Sequence, residues 1–133
     1  MRYNSFKILH FFLEIFPLYR IIIKIKSIFK NTSKKGGKVI LAGNGGSAAM
    51  ASHVAVDITK NAGIRSVTFN EYDLITTLAN DYGYENWIAK AIELYHNPND
   101  LVVLISASGQ SLNVINAANI DDPAINKYIY GSE

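Results

Sequence analysis

The chain has 133 residues, of which 49% are hydrophobic and 18% charged, so it is expected to fold as one domain around one core. Its net charge of +2 is concentrated in the first 38 residues, where Lys24, Lys26, Lys30, Lys34, Lys35 and Lys38 lack matching acids. That distribution argues against a nucleic-acid groove, which needs basic residues across the ligand face, while the absence of cysteine excludes disulfides and thiolate metal sites and points to a reducing, cytoplasmic setting.

The N-terminal stretch ILHFFLEIFPLYRIIIKIKSIF is strongly apolar, but Glu14, Arg20, Lys24 and Lys26 interrupt it and Pro17 stands in its middle. No uninterrupted apolar run is long enough for a spanning helix, and no cleavage pattern of a signal peptide follows. A helix, or two short ones broken near Pro17, is expected to pack its apolar face on the domain or on a second subunit; an interfacial helix at a membrane surface is the alternative. NTSKKGGK, Asn31 to Lys38, reads as a solvated loop.

Beyond it, short apolar runs alternate with helix-length segments. KVILA is the first strand, followed by a helix opened by Ser47 that runs to about Lys60 and is stopped by Asn61 to Gly63. IRSVTF, from Ile64, is the second strand. Asp73 is expected to cap a short helix through Leu78, NDYGYE interrupts, and a longer helix covers Tyr84 to about His96. NPND then turns the chain into a third strand, Leu101 to Ser106; a further helix begins near Ser111 and ends before Asp121, Asp122 and Pro123, and KYIY can supply one short fourth strand. Phe11, Phe12, Phe16 and Trp87 are read as core, and His10 and His96 as exposed or cap-like. This alternation predicts an α/β fold, a three-layer, doubly wound parallel sheet preceded by an N-terminal helical segment, with ligands bound outside the carboxyl ends of the strands.

Two strand-to-helix turns occupy such ends. The first, Gly43 to Ser47, is rich in glycine and brings backbone N–H groups and a helix N-terminus to one point, an arrangement that attracts a phosphate or another oxyanion. The second, Ser106 to Ser111, repeats the plan with serines. Together they suggest one phosphorylated ligand gripped twice. Ser111 also suits a helix cap, though capping alone does not call for Ser106 and Ser108. His53 and Asp57 stand at i, i+4 on the intervening helix, a spacing equally suited to an ordinary surface pair, and Asn80, Asp81 and Gly83 by themselves read as a surface turn.

Three motifs in order, GNGGSAA at Gly43 to Ala49 followed by His53, ANDYGYE at Ala79 to Glu85, and SASGQS at Ser106 to Ser111, resemble those of the sugar isomerase (SIS) domain family. Within it, the chain is similar to the phosphoheptose isomerases, which act on sedoheptulose 7-phosphate in heptose synthesis for cell-surface polysaccharide. The resemblance implies a flavodoxin-like fold, with residues 1–36 an N-terminal helical segment and loop and 37–133 a partial SIS domain. It implies a phosphosugar as the small-molecule partner and a homo-oligomer, while charge and hydropathy speak against nucleic acid and a membrane span. Asn44, Gly45, Gly46 and Ser47 would form the substrate loop, with Asn44 bonding a sugar hydroxyl. Ser106, Ala107, Ser108 and Ser111 would surround the phosphate, and Asn80 and Asp81 would contact sugar hydroxyls. His53 and Asp57 match positions that serve in proton transfer and can bind a divalent metal such as zinc, Asp57 being the candidate base for ketose–aldose isomerisation through an enediol.

The chain also departs from the family pattern. Aspartate stands at 57 where glutamate is usual, withdrawing the carboxylate by ~1.5 Å when a misplacement of about 1 Å can cost on the order of 100-fold in rate. Ala107 replaces a common threonine and Leu112 a common proline. Relatives continue through two more strands and a long helix carrying a glutamine and a histidine that complete the site, where this chain has NIDDPAINKYIYGSE. The expectation is a truncated chain, a degenerate copy, or dependence on a partner subunit. A phosphosugar-binding or scaffolding protein without catalysis is therefore the second class of function.

Overall fold

The computed structural model describes the backbone of residues 5–131 and the side chains of residues 19–125 and of Lys127. The elements in chain order are α1 (Ser5–Lys34), β1 (Val39–Gly43), α2 (Gly45–Ala62), β2 (Ser66–Val67), α3 (Tyr72–Tyr82), α4 (Trp87–Tyr95), β3 (Leu101–Ser106), α5 (Leu112–Ala118) and β4 (Asn126–Gly131). The four strands form one parallel sheet in the order β2-β1-β3-β4. The expected doubly wound α/β architecture is therefore present, with KYIY inside a fourth strand.

Sequence periodicity explains the layers. Successive side chains of a strand point to opposite faces, so Ile40, Ala42, Val102 and Leu104 enter one cluster with Phe69, Leu78, Trp87, Ile88, Ile92, Val114 and Ala117 under α3, α4 and α5. Val39, Leu41 and Leu101 enter the other, with Ala51, Ala55 and Ile64 and with Ile28, Phe29, Val54, Ile58, Val103 and Ile105 packed around them under α1 and α2. With helices on both faces, β1 is buried at all its positions, which is why it reads as an unbroken apolar run and not as an alternation.

The chain order reverses beside β1. From β1 the chain crosses through α2 to β2 on one side; from β2 it passes over β1 through α3 and α4 to β3 on the other. The carboxyl ends of β1 and β3 thus flank the reversal point, the place where such sheets bind ligands.

Several boundaries differ from expectation. The backbone of α1 is helical through Pro17 and on to Lys34. A proline removes one intrahelical N–H bond and crowds the carbonyl four residues earlier, yet the backbone stays helical across it. Asn31 to Lys34 accordingly belongs to the helix and not to a loop; Thr32 is buried, and its carbonyl accepts from Gly37 N at 3.0 Å. The expected core roles of Phe11, Phe12 and Phe16 and the placement of His10 fall outside the residues whose side chains are described. Of the expected second strand only Ser66 and Val67 pair, because β2 is an edge whose sole neighbour is β1, while Ile64 and Phe69 leave the strand to plug the two separate clusters. Glu71, not Asp73, sits at the N-cap of α3, with Asp73 in the first turn, and α3 runs on through Asn80 and Asp81 to Tyr82. Those two residues are therefore helical and not part of a surface turn. The next helix starts at Trp87, three residues later than expected, and ends at His96, which caps it as foreseen, its backbone N–H donating to Ile92 O.

The amino ends of β1 and β3 are pinned by one buried carboxylate. Asp100, 1% exposed, accepts at 2.8 Å from Lys38 N, at 2.8 Å from Asn97 N, and also from Lys38 Nζ, which donates in addition to Tyr95 O at 3.0 Å. Among the described residues no helix is long and apolar enough to cross a membrane.

Candidate functional site

The glycine turn begins where β1 leaves the sheet. A Cβ on Gly43 would lie 2.7 Å from Ile105 O and 2.8 Å from Ser47 Cβ, so only glycine lets β1, β3 and the start of α2 approach this closely. The helix opens at Gly45, two residues before the expected start, which leaves Ser47 inside its first turn. Gly45 has a left-handed φ of +51°, while Gly46 has an ordinary backbone, and a Cβ on either would meet no protein atom within 4 Å. Among the described residues nothing demands glycine at 46; close approach of a ligand would. Asn44 O accepts from Ser47 N at 2.9 Å and Ala48 N at 3.3 Å, so the amides of Gly45 and Gly46 are the leading donors of an 18-residue helix.

The serine turn begins where β3 ends. Ser106 is buried as the last strand residue, and its Oγ accepts from Gly109 N at 3.1 Å; Ser108 Oγ accepts from Gln110 N at 3.2 Å. A hydroxyl that accepts from a backbone N–H keeps its own proton to donate, and donation is what a phosphate oxygen asks of it. Ala107 and Ser108 are exposed. Ser111 stands at the N-cap of α5, yet its side chain makes no capping hydrogen bond; its carbonyl alone serves the helix, accepting from Val114 N and Ile115 N at 3.0 Å each. The capping role open to Ser111 is thus carried by its backbone.

These two turns are brought together by register. Gly43 lies opposite Ile105 in the parallel β1–β3 ladder, and neighbouring strands are about 4.8 Å apart. A direct bond then joins the turns: Asn44 Nδ2 donates to Asn113 Oδ1 at 2.8 Å, and Asn113 Nδ2 donates back to Asn44 Oδ1 at 2.8 Å. Both ends of the Asn44 amide are engaged with α5, where the resemblance implied a bond to a sugar hydroxyl. Tyr84 approaches from the turn after α3, its hydroxyl donating to Asn44 Oδ1 at 3.5 Å. Asn113 was missed by the sequence reading. Its signal is a polar residue on the buried stripe of a helix, beside Val114 and one turn before Ala117, where an apolar residue would ordinarily continue the pattern.

Asn80 and Asp81 occupy the last turn of α3, both exposed, with Asn80 Nδ2 donating to Asp81 Oδ1 at 2.9 Å. They precede the turn that sends Tyr84 to Asn44. His53 and Asp57 stand apart from the two turns. Their side chains form a 3.4 Å i, i+4 pair, 81% and 52% exposed, on the face of α2 opposite the buried Ala51 and Ala55, and Asp57 Oδ1 also accepts from Asn61 Nδ2 at 3.3 Å. Eight residues separate His53 from Gly45, roughly 12 Å along the axis at ~1.5 Å per residue. Among the described residues no three His, Cys, Asp or Glu side chains group to hold a metal ion. The pair alone offers two donors where zinc takes at least three from protein, so the described part of one chain does not by itself fit a zinc site.

A doubly wound parallel sheet with two anion-suited turns at its reversal point defines an α/β domain of the kind that holds ligands at the carboxyl edge of its strands. The SIS domain model matches residues 19–120, and the chain belongs to that family. Among curated relatives, the phosphoheptose isomerase of Roseiflexus sp. (strain RS-1) is 37% identical over 102 residues, covering 72% of this chain and 52% of the relative. That of Helicobacter pylori (strain ATCC 700392 / 26695) is 38% identical over 92 residues, covering 65% of this chain and 48% of the relative. The chain thus spans about half the length of the curated relatives it matches. Among solved structures, a phosphoheptose isomerase from Neisseria gonorrhoeae superposes with a TM-score of 0.69 at 25% identity, covering 97% of this chain and 75% of that one. One from Francisella tularensis reaches 0.75 at 21% identity over 96% and 75%, a likeness of fold.

Proposed function

We propose that the chain binds a phosphosugar across the carboxyl ends of β1 and β3 and acts on it as a ketose–aldose isomerase of the phosphoheptose class, with sedoheptulose 7-phosphate as substrate, in cytoplasmic heptose synthesis for surface polysaccharide. The observation that carries this is the placement of the glycine turn and the serine turn side by side, Gly43 opposite Ile105. In this reading Ser106, Ser108 and Ser111 donate to the phosphate with the backbone around Ala107, while Gly45, Gly46 and Ser47 give the sugar close access to the α2 amides. Asn80 and Asp81, able between them to donate and accept, take sugar hydroxyls. His53 and Asp57 move the proton between adjacent carbons, with Asp57 as base.

Asp57 lies twelve residues beyond Gly45, roughly 18 Å along α2 at ~1.5 Å per residue, so it reaches a sugar only when another copy presents one to the outer face of α2. A homo-oligomer is therefore part of the proposal. A divalent metal enters it only with donors from outside the described residues. The exposure of the His53–Asp57 pair favours a second reading, in which the domain holds a phosphosugar without turning it over.

Incubating the purified chain with sedoheptulose 7-phosphate, while following aldose formation and thermal unfolding, separates these readings. Turnover abolished by Asp57→Asn establishes the enzyme. Stabilisation without turnover leaves the binding protein, and no stabilisation by any phosphosugar removes both.

A further inference from the structure

We infer that Asn113 is a positioning residue: through its reciprocal amide pair with Asn44 it locks the glycine turn to the serine turn and so sets the span between the sugar and phosphate halves of the site. The inference rests on the phosphosugar reading above and names a residue that no motif in it includes.

The two bonds, each 2.8 Å, close a ring between side chains 69 positions apart in sequence. A reciprocal amide pair fixes both planes at once, since each side chain donates with its nitrogen and accepts with its oxygen, and neither can rotate without losing both bonds. Asn113 is 2% exposed and sits in the first turn of α5, immediately behind Ser111 and Leu112, so its own position follows the serine turn. Asn44 is half-buried and links the end of β1 to the start of α2, so its position follows the glycine turn. A buried amide left unpaired would be costly, whereas paired in this way it converts α5 and the start of α2 into one unit. Tyr84 extends that unit to the turn after α3 through its 3.5 Å contact with Asn44.

Backbone pairing cannot do this alone. The β1–β3 ladder reaches Gly43 and Ile105 and stops, and the residues that face the ligand come afterwards. Without the amide pair the glycine turn would have no direct bond to α5, keeping only the α2 hydrogen bonds to Asn44 O and the long contact from Tyr84, and the span between the two anion-suited corners would vary with each motion of α2 against α5. A ligand touching both corners needs that span; inorganic phosphate, held at the serine turn alone, does not.

The test uses Asn113→Leu, which keeps the shape of the buried side chain and removes only its hydrogen bonds, with circular dichroism and thermal unfolding to establish that it folds. Binding of sedoheptulose 7-phosphate and of inorganic phosphate is measured by calorimetry for the wild-type chain, N113L, N44A and the double variant. We expect the Kd of N113L for sedoheptulose 7-phosphate to rise about tenfold, the effect of one or two lost hydrogen bonds, with its Kd for inorganic phosphate unchanged. The double variant should bind no worse than N44A, because Asn113 acts through Asn44. Equal losses for both ligands would mean that Asn113 merely supports α5, and unchanged binding or additive losses in the double variant would mean that the two side chains act separately; each overturns the positioning role alone. A wild-type chain that binds neither ligand overturns the phosphosugar reading and the positioning role with it. Should N113L fail to fold, Asn113→Ser, smaller and unable to form the reciprocal pair, takes its place with the same expected selectivity.

Discussion

The two ends of the β1–β3 pair are built on opposite terms. At the amino end a carboxylate is almost completely withdrawn from water and satisfied by two backbone amides and an ammonium group. At the carboxyl end the glycine turn is exposed beyond Asn44, the serine turn exposes Ala107 and Ser108, and the hydroxyls retain protons to give. One end spends its polar groups on holding strands together, the other keeps them available. On the proposed phosphosugar reading, stability and ligand binding are divided along the strand axis, and substitutions at the two ends should separate accordingly.

The largest effect is expected at the closed end. Asp100→Ala removes the acceptor for two amides and leaves Lys38 without its counter-charge, with Tyr95 O as its remaining acceptor, which should cost about 3–5 kcal/mol of stability in urea unfolding. Ligand affinity of whatever remains folded should be unchanged. Gly43→Ala probes the boundary between the two regimes: its Cβ would press on Ile105 O and Ser47 Cβ, and a loss of about 1–3 kcal/mol together with weaker phosphosugar binding is expected, the one case in which both readouts move. Ser108→Ala, by contrast, should leave stability within about 1 kcal/mol while lowering phosphosugar affinity, measured by calorimetry on the same preparation. The smallest effect on folding is expected for Asp57→Asn, because the His53–Asp57 pair is an exposed helix-surface pair; a change within about 0.5 kcal/mol in thermal unfolding is anticipated. If Asp100→Ala selectively abolished binding, or Ser108→Ala unfolded the chain, the division between the two ends would be wrong.

Local chemistry made much of the site legible. Turn glycines, clustered serines and the apolar run Leu101–Ser106 declare themselves within a few residues, because backbone conformation, capping and strand burial are short-range properties. Boundaries were less legible where neighbours decide them. The second strand is short because an edge has one partner, and α1 is helical through Pro17 although a proline favours a break there. Asn80 and Asp81 were read as a turn since short polar residues before Gly83 imitate one, yet they finish a helix.

Short-range patterns alone declare an alternating α/β chain of the SIS family pattern, with two anion-suited turns at strand ends. That those turns are neighbours, that Asn44 is bound to Asn113, that Lys38 meets Asp100, and that His53 and Asp57 lie on the exposed face of α2 emerges only from the fold. The cause is distance along the chain. Contacts across 62 or 69 positions depend on the order in which strands pair, and strand order is set by burying both sheet faces at once, a condition no local stretch of sequence expresses.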